Sequence, residues 1–262
     1  MSGGENLKTS ITNDADNIIY VYDGGLAGFF CCVYESVYGR QIPYAIVTEK
    51  DFQPTLLPYK HIETDRVKAK KVRDSIPVKI SSHALDLIET VFLSCLEEKE
   101  IAISRFLLKG YRVGGKIVNM MGDPIVEKLL KAERHMMGEC RLLLGFVRFS
   151  DYDGRLAATI SPKNFVLPYI SGHFVNRFSG EDFMIYDKTH RVAFIYEEGK
   201  RRLLEIDFID FPEVSEEEDR YRSMWKHFYN TVSIEARENP RCRMTHMPKR
   251  YWENMLEVKE LL

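Results

Sequence analysis

The sequence predicts an α+β fold: a mainly antiparallel sheet with helices packed on it, preceded by a strand-helix unit and a helical segment. Three observations predict it. Asp153-Gly154, the strongest two-residue hairpin signal, joins an extended run in which Phe146, Arg148 and Ser150 lie on one side and Val147, Phe149 and Asp151 on the other to the run Arg155–Ser161. The segments Asp182–Asp187, Arg191–Glu197 and Arg202–Phe208 then alternate as half-buried strands do. Between hairpin and later strands, Asn164–Phe178 is too apolar for a loop and long enough for a helix. The block reads as strand, strand, helix and three more strands, a layer that needs helices over one face.

Residues 1–17, rich in Ser, Gly, Asn, Thr and Asp, read as a flexible leader, and 18–262 as a single α+β domain with a sub-boundary near 112–123. Asn17–Asp23 is an apolar, β-branched and aromatic run closed by Asp23-Gly24-Gly25, after which Leu26, Phe29, Phe30, Val33, Tyr34 and Val37 recur at helical spacing. Such a strand-turn-helix offers backbone N–H groups at Gly24 and Gly25 where an anion could sit; the competing reading is a helix cap by Asp23. Neither a dinucleotide fingerprint nor a Walker loop is present. Short strands are expected at Tyr44–Val47 and His61–Thr64, and Asp65 caps a basic helix over Arg66–Ser75 that groups Lys68, Lys71 and Arg73. That group is either a solvated face or a phosphate contact.

Ser81–Leu96 and Lys99–Tyr111 repeat apolar residues at helical intervals and form a helical hairpin. Their acidic connector, Glu97-Glu98-Lys99-Glu100, would repel phosphate, which favours packing over DNA reading. Asp123-Pro124 opens the next helix, which runs toward the central block. After the sheet, Ser215-Glu216-Glu217-Glu218 is a capping box for a helix extending to about Arg237, with Trp225, Phe228, Tyr229, Val232 and Ile234 on its aromatic side. Asn239-Pro240 stops it, and an amphipathic segment, Tyr251–Leu261, ends the chain.

Composition narrows the classes. The net charge of −2 provides no whole-chain field for nucleic acid, so such a role must rest on a local patch. Five cysteines without paired spacing read as reduced thiols, and neither a metal site nor a cofactor is expected. No apolar run reaches the ~18 residues of a membrane span and no signal-peptide pattern leads the chain, so a cytoplasmic protein without membrane contact is expected.

Three constellations could carry chemistry. His173 and Arg177 share a helix face beside Asp187 and His190, a set suited to acid-base work on a base or phosphate; the alternative is an Arg177–Asp187 ion pair. Arg148 lies between aromatics with Glu139 upstream as a partner, an arrangement open to a structural or a functional role. Arg237, Arg241, Arg243, Lys249, Arg250, Tyr251 and Trp252 combine cations that neutralise phosphates with rings that stack on bases, in a region expected to be partly irregular. The competing reading has these aromatics anchoring a terminal helix to the core.

Several of these stretches together resemble one bacterial family. They are Val21-Tyr22-Asp23-Gly24, Glu139 with Gly145-Phe146-Val147-Arg148-Phe149, His173-Phe174 with Arg177-Phe178, Trp225–Tyr229, Arg237-Glu238-Asn239-Pro240, and Met247-Pro248-Lys249-Arg250-Tyr251-Trp252. The family is described as DNA-metabolism or DNA-repair proteins, and its domain of unknown function also occurs fused behind uracil-DNA-glycosylase-like proteins. Stand-alone members are encoded beside a radical-SAM protein with helix-hairpin-helix repeats. Many relatives place a His-Arg pair where this chain has Arg141-Leu142, which leaves that pair without a catalytic reading here.

The resemblance implies an accessory protein of DNA repair or modification, binding DNA and working with a radical-SAM partner. The nucleic-acid contacts assigned from the residues are Arg148, Arg177, Arg241, Arg243, Lys249, Arg250, Tyr251 and Trp252. An alternative is a glycosylase- or nuclease-like hydrolase in which Glu139 or Asp187 activates water and His173 carries the proton. A third is a protein-interaction module, expected if the basic residues pair with the acidic run Glu213–Asp219.

Overall fold

The computed structural model of the protein describes residues 16–232 and 239–259. Arg237, Ile234 and most of the expected leader lie outside them. The chain forms two compact units, Met1–Glu133 and Arg134–Leu262.

In the first unit, β1 (Asp16–Tyr22) runs parallel to β2 (Pro43–Thr48) on one side and β3 (Tyr59–His61) on the other. Tyr20, Val21 and Tyr22 are all buried, as expected of a central parallel strand covered on both faces. The helices are α1 (Leu26–Tyr38), α2 (Arg66–Lys79), α3 (Ser82–Phe92), α4 (Lys99–Val113) and the first part of α5 (Pro124–Phe146). Phe29, Phe30, Val33, Ile76, Leu87, Phe106 and Leu129 belong to their common core.

Three of the expected caps are in place, whereas Asp23 does not cap α1, whose N-cap is Gly25 without a side-chain bond because Asp23 turns back onto the Gly25 amide. Asp65 accepts from the N–H groups of Val67 (2.7 Å) and Lys68 (3.2 Å), Ser81 from Ala84 (3.1 Å), and Asp123 from Ile125 (2.8 Å) and Val126 (3.2 Å). α2 passes the expected end at Ser75 and includes Pro77. In a last turn the proline removes only one backbone donor, so the helix closes two residues later.

Two close approaches set α4 against the end of α2. A Cβ on Gly110 would stand 2.6 Å from Ile80 Cδ1, and one on Gly115 2.7 Å from the Ile80 carbonyl oxygen. Tyr111 and Arg112 are thereby brought to the side where Ser75 and Lys79 leave α2, and Tyr111 shares a 2.8 Å hydrogen bond with Ser75.

The second unit is α+β in its own right. β4 (Ser150–Tyr152), β5 (Arg155–Ile160), β6 (Phe183–Asp187), β7 (Val192–Glu197) and β8 (Lys200–Glu205) form one sheet in chain order. Every pairing is antiparallel except β5 with β6, which α6 (Leu167–Arg177) connects as a crossover. Asp153 and Gly154 both take positive φ (53° and 81°), the backbone a two-residue primed turn requires. The expected order of strand, strand, helix and three strands is therefore present, with a mainly antiparallel sheet.

One boundary is corrected. α5 continues to Phe146 and regular strand structure begins only at Ser150, so Phe146 is helical and Val147–Phe149 belongs to no strand. Met136, Cys140 and Leu143 keep the helical period going and are buried. Phe149 then turns inward, its ring 5.0–5.8 Å from those of Phe174, Phe178 and Phe183.

The unit is completed by α7 (Glu216–Val232), α8 (Pro240–His246) and a 3-10 turn at Lys249–Asn254. Asn239 does not merely stop a helix; its side chain accepts from Cys242 N–H at 3.0 Å and caps α8. Arg241 and Arg243 thus stand on a helix where irregular chain was expected. Among the described residues no helix is long and apolar enough to cross a membrane.

Candidate nucleic-acid interface

In the second unit, a groove of about 560 Å³ runs between the end of α5, the last turn of α6 and α7. It brings together Arg148 and Arg177, 29 residues apart in sequence, with Arg222, Tyr221 and Trp225 of α7. Arg148 is pinned by Glu257: Nη2 donates to Oε1 at 2.5 Å and Nε to Oε2 at 3.4 Å, while Nη1 donates to the Gly145 carbonyl at 2.7 Å. Its guanidinium lies 5.7 Å from the centre of the Trp225 ring, and Trp225 Nε1 donates to the same Glu257 carboxylate at 3.2 Å. Burial pushes the Glu257 carboxyl up, but the hydrogen bond and charge of Arg148, a backbone hydrogen bond and the Trp225 indole together outweigh it and hold the group below the usual range.

Arg177 is different. It is exposed in the last turn of α6, where the helix dipole favours a cation, and its guanidinium lies 5.8 Å from the Phe178 ring. It has no carboxylate partner among the described residues, and the expected Arg177–Asp187 pair is absent. Arg222 donates to Glu218 (2.8 Å) and Ser150 (2.5 Å). Beside these guanidiniums, Tyr221 and Trp225 line the groove one turn apart on α7 and are 58% and 40% exposed. Cations fixed beside open ring faces can meet a phosphate and a base together.

Glu139 is not the partner of Arg148. It is 2% exposed and accepts from Lys163 N (3.1 Å), Asn164 N (2.8 Å), Asn164 Nδ2 (2.6 Å), the Tyr251 hydroxyl (2.7 Å) and Arg250 Nη2 (3.0 Å). Burial acts to raise its pKa, yet these donors prevail and keep it below the usual carboxylate range. Arg250 also bonds the Tyr251 hydroxyl and lies 4.6 Å from its ring. Tyr251 and Trp252 are buried, so their faces turn into the unit. Lys249 is exposed, 5.5 Å from the Trp252 ring, and Arg241 is exposed on α8. Arg243 is half-buried on the same helix.

The residues suggested for acid-base work do not converge. Asp187 is fully buried and caps the β6–β7 turn, accepting from Thr189 N (3.0 Å), His190 N (3.1 Å) and His190 Nδ1 (2.7 Å). His173 is exposed with its ring edge-on to Phe174, 5.2 Å away. No hydrogen bond or ion pair joins His173 to Glu139 or Asp187 among the described residues. No group of three or more His, Cys, Asp or Glu stands close enough to hold a metal ion among the described residues.

At the Gly24-Gly25 turn of the first unit, Asp23 accepts from Gly25 N at 2.9 Å and from the Thr64 hydroxyl at 2.6 Å. Its carboxylate lies over the first turn of α1, 2.2 Å from where a Cβ of Gly28 would be, so a charge of the chain itself faces that helix end.

The role of Glu257 was missed from sequence because 109 residues separate it from Arg148 and its own segment carries no motif. A family model described as a domain of unknown function, DUF4130, matches residues 97–257, more than half of the chain, and the chain belongs to that family. No curated protein and no solved structure matches it.

Proposed function

We propose that this DUF4130 chain is an accessory protein of DNA repair or modification that holds nucleic acid in the groove rimmed by Arg148, Arg177 and Trp225. The observation that carries the reading is the free guanidinium of Arg177 beside the exposed rings of α7, on a chain whose net charge of −2 supplies no whole-chain field for nucleic acid. Glu257, paired with Arg148, also accepts from Trp225 Nε1 and so holds the indole beside the groove. A single strand suits this arrangement best, because its bases are available for stacking while a duplex hides them. The DNA-repair setting and the radical-SAM partner rest on the resemblance of the quoted stretches to the DNA-metabolism family.

A second reading draws on the same helix. Met224, Phe228 and Val232 are all more than half exposed, an apolar stripe of the kind that a protein partner covers. The two readings divide α7 between a groove side and an outer side, and a radical-SAM partner would take the outer one.

The test is fluorescence anisotropy of a labelled single-stranded oligonucleotide over a salt titration. Arg177→Ala is expected to weaken binding and reduce the slope of log K against log salt by roughly 0.7, the share of one phosphate contact on a single strand. Unchanged affinity and slope would remove the groove from consideration.

A further inference from the structure

We infer that the first unit carries a separate binding site for a nucleoside phosphate, in a groove of about 380 Å³ between the end of α1, α2 and the end of α4. Four cations line it: Arg40, Lys71, Lys79 and Arg112. Its lining contains no carboxylate, and none of the four has an ion-pair partner among the described residues. The neighbouring carboxylate Glu35 is already engaged by Lys60 (2.9 Å) and Lys68 (3.1 Å), which keeps it from neutralising the groove. On a chain with a net charge of −2, four uncompensated cations in one concavity focus a positive field onto whatever enters.

Rings complete the chemistry. Tyr34 and Tyr38 stack with centroids 4.2 Å apart, and Lys71 sits 5.5 Å and 4.7 Å from them. Lys79 lies 5.6 Å from the ring of Tyr111, whose hydroxyl is fixed on Ser75. The flat faces and the cations therefore occupy the same walls, as a ligand with one aromatic and one anionic part requires. The groove's size is at the scale of small-molecule sites and admits a nucleotide unit.

The end of α1 sets one of these cations in place. Arg40 adopts a left-handed φ of 53°, although Gly39 precedes it and could take that conformation freely. Gly39 instead has φ −75°, where a Cβ would come within 2.6 Å of the Glu35 carbonyl oxygen. The left-handed residue that ends α1 is thus itself one of the residues lining the groove. The basic helix seen in the sequence grouped Lys71 with Lys68 and Arg73, but Arg73 pairs with Glu89 and Lys68 with Glu35. The partners that matter come from α4 and from the turn after α1.

The nucleotide unit can belong to a free nucleotide or to a single strand, and the site stands or falls separately from the groove of the second unit. Isothermal titration of the full chain with thymidine monophosphate, a thymidine oligonucleotide of about twelve residues, and inorganic phosphate separates these sources. The Arg177→Ala/Trp225→Ala protein is expected to keep at least one nucleotide-bearing ligand, and Lys71→Ala/Arg112→Ala to lose it by roughly tenfold or more. Mononucleotide binding assigns a free nucleotide, and retained oligonucleotide binding alone assigns a strand. The proposal is overturned if neither nucleotide-bearing ligand binds, if Lys71→Ala/Arg112→Ala binds as the parent does, or if inorganic phosphate binds as tightly as the nucleotides.

Discussion

Tyr251 donates its hydroxyl to Glu139 at 2.7 Å across 112 residues of chain, and this bond ties the C-terminal segment to α5. Arg250 reinforces it from the side, and the Lys163 and Asn164 amides close it from the loop after β5. The tail is thus part of the body of its unit. Tyr251→Phe removes one donor to a buried carboxylate and is expected to destabilise by about 1–3 kcal/mol. Glu139→Gln leaves Arg250 unpaired and several donors unmatched, with an expected loss of about 3–5 kcal/mol. Denaturant unfolding of both variants checks the order.

Acid should loosen the same latch. The Glu139 and Glu257 carboxyls are both held below their ordinary range in the folded protein, so each contributes stability that is complete above the unfolded pKa of about 4.3. That contribution is lost as the pH falls through the folded pKa values. Unfolding midpoints measured from pH 7 to pH 3 should fall at the acid end, and the fall should be shallower in Glu139→Gln.

Gly28 has a specific burden. A methyl there would meet Asp23 Oδ1 at 2.2 Å and Thr64 Oγ1 at 2.8 Å, breaking the bonds that close the turn before α1. Gly28→Ala is expected to destabilise by about 1–3 kcal/mol despite the better helix propensity of alanine. At Gly110 the obstacle is the mobile end of the Ile80 side chain, so Gly110→Ala should be the milder of the two. Thermal unfolding of the pair decides it.

Arg148 and Arg177 should separate stability from binding. Arg148→Ala strands the buried Glu257 carboxylate and is expected to lower stability by about 3–5 kcal/mol. Arg177→Ala, at an exposed site without an acidic partner, should change stability by no more than about 0.5 kcal/mol while weakening oligonucleotide binding. Chemical denaturation and anisotropy on the two proteins give both readouts.

Much of the secondary structure was legible from the sequence, because caps and turns are local. Asp65, Ser81, Asp123 and the Asp153-Gly154 turn each act within a few residues. Gly145–Phe149 misled because a short apolar run satisfies both periods, and only burial of Leu143 and Cys140 decides for the helix. Of the residues singled out in the sequence, the groove brings together only Arg148 and Arg177, and none of the pairings could be read. Arg148 and Arg177 were visible as cations among aromatics, but Glu257 as the partner of Arg148, and Glu139 as the anchor of Arg250 and Tyr251, are set by tertiary contacts that sequence spacing does not encode.

Trp225 reports on the proposed interface directly, since the chain has two tryptophans and the other, Trp252, is only 4% exposed. Titrating a single-stranded oligonucleotide into the protein while following tryptophan emission should quench the signal as a base stacks on Trp225, and the quench should vanish in Trp225→Phe. An emission that stays constant as oligonucleotide is added, or a quench that survives in Trp225→Phe, would contradict the account.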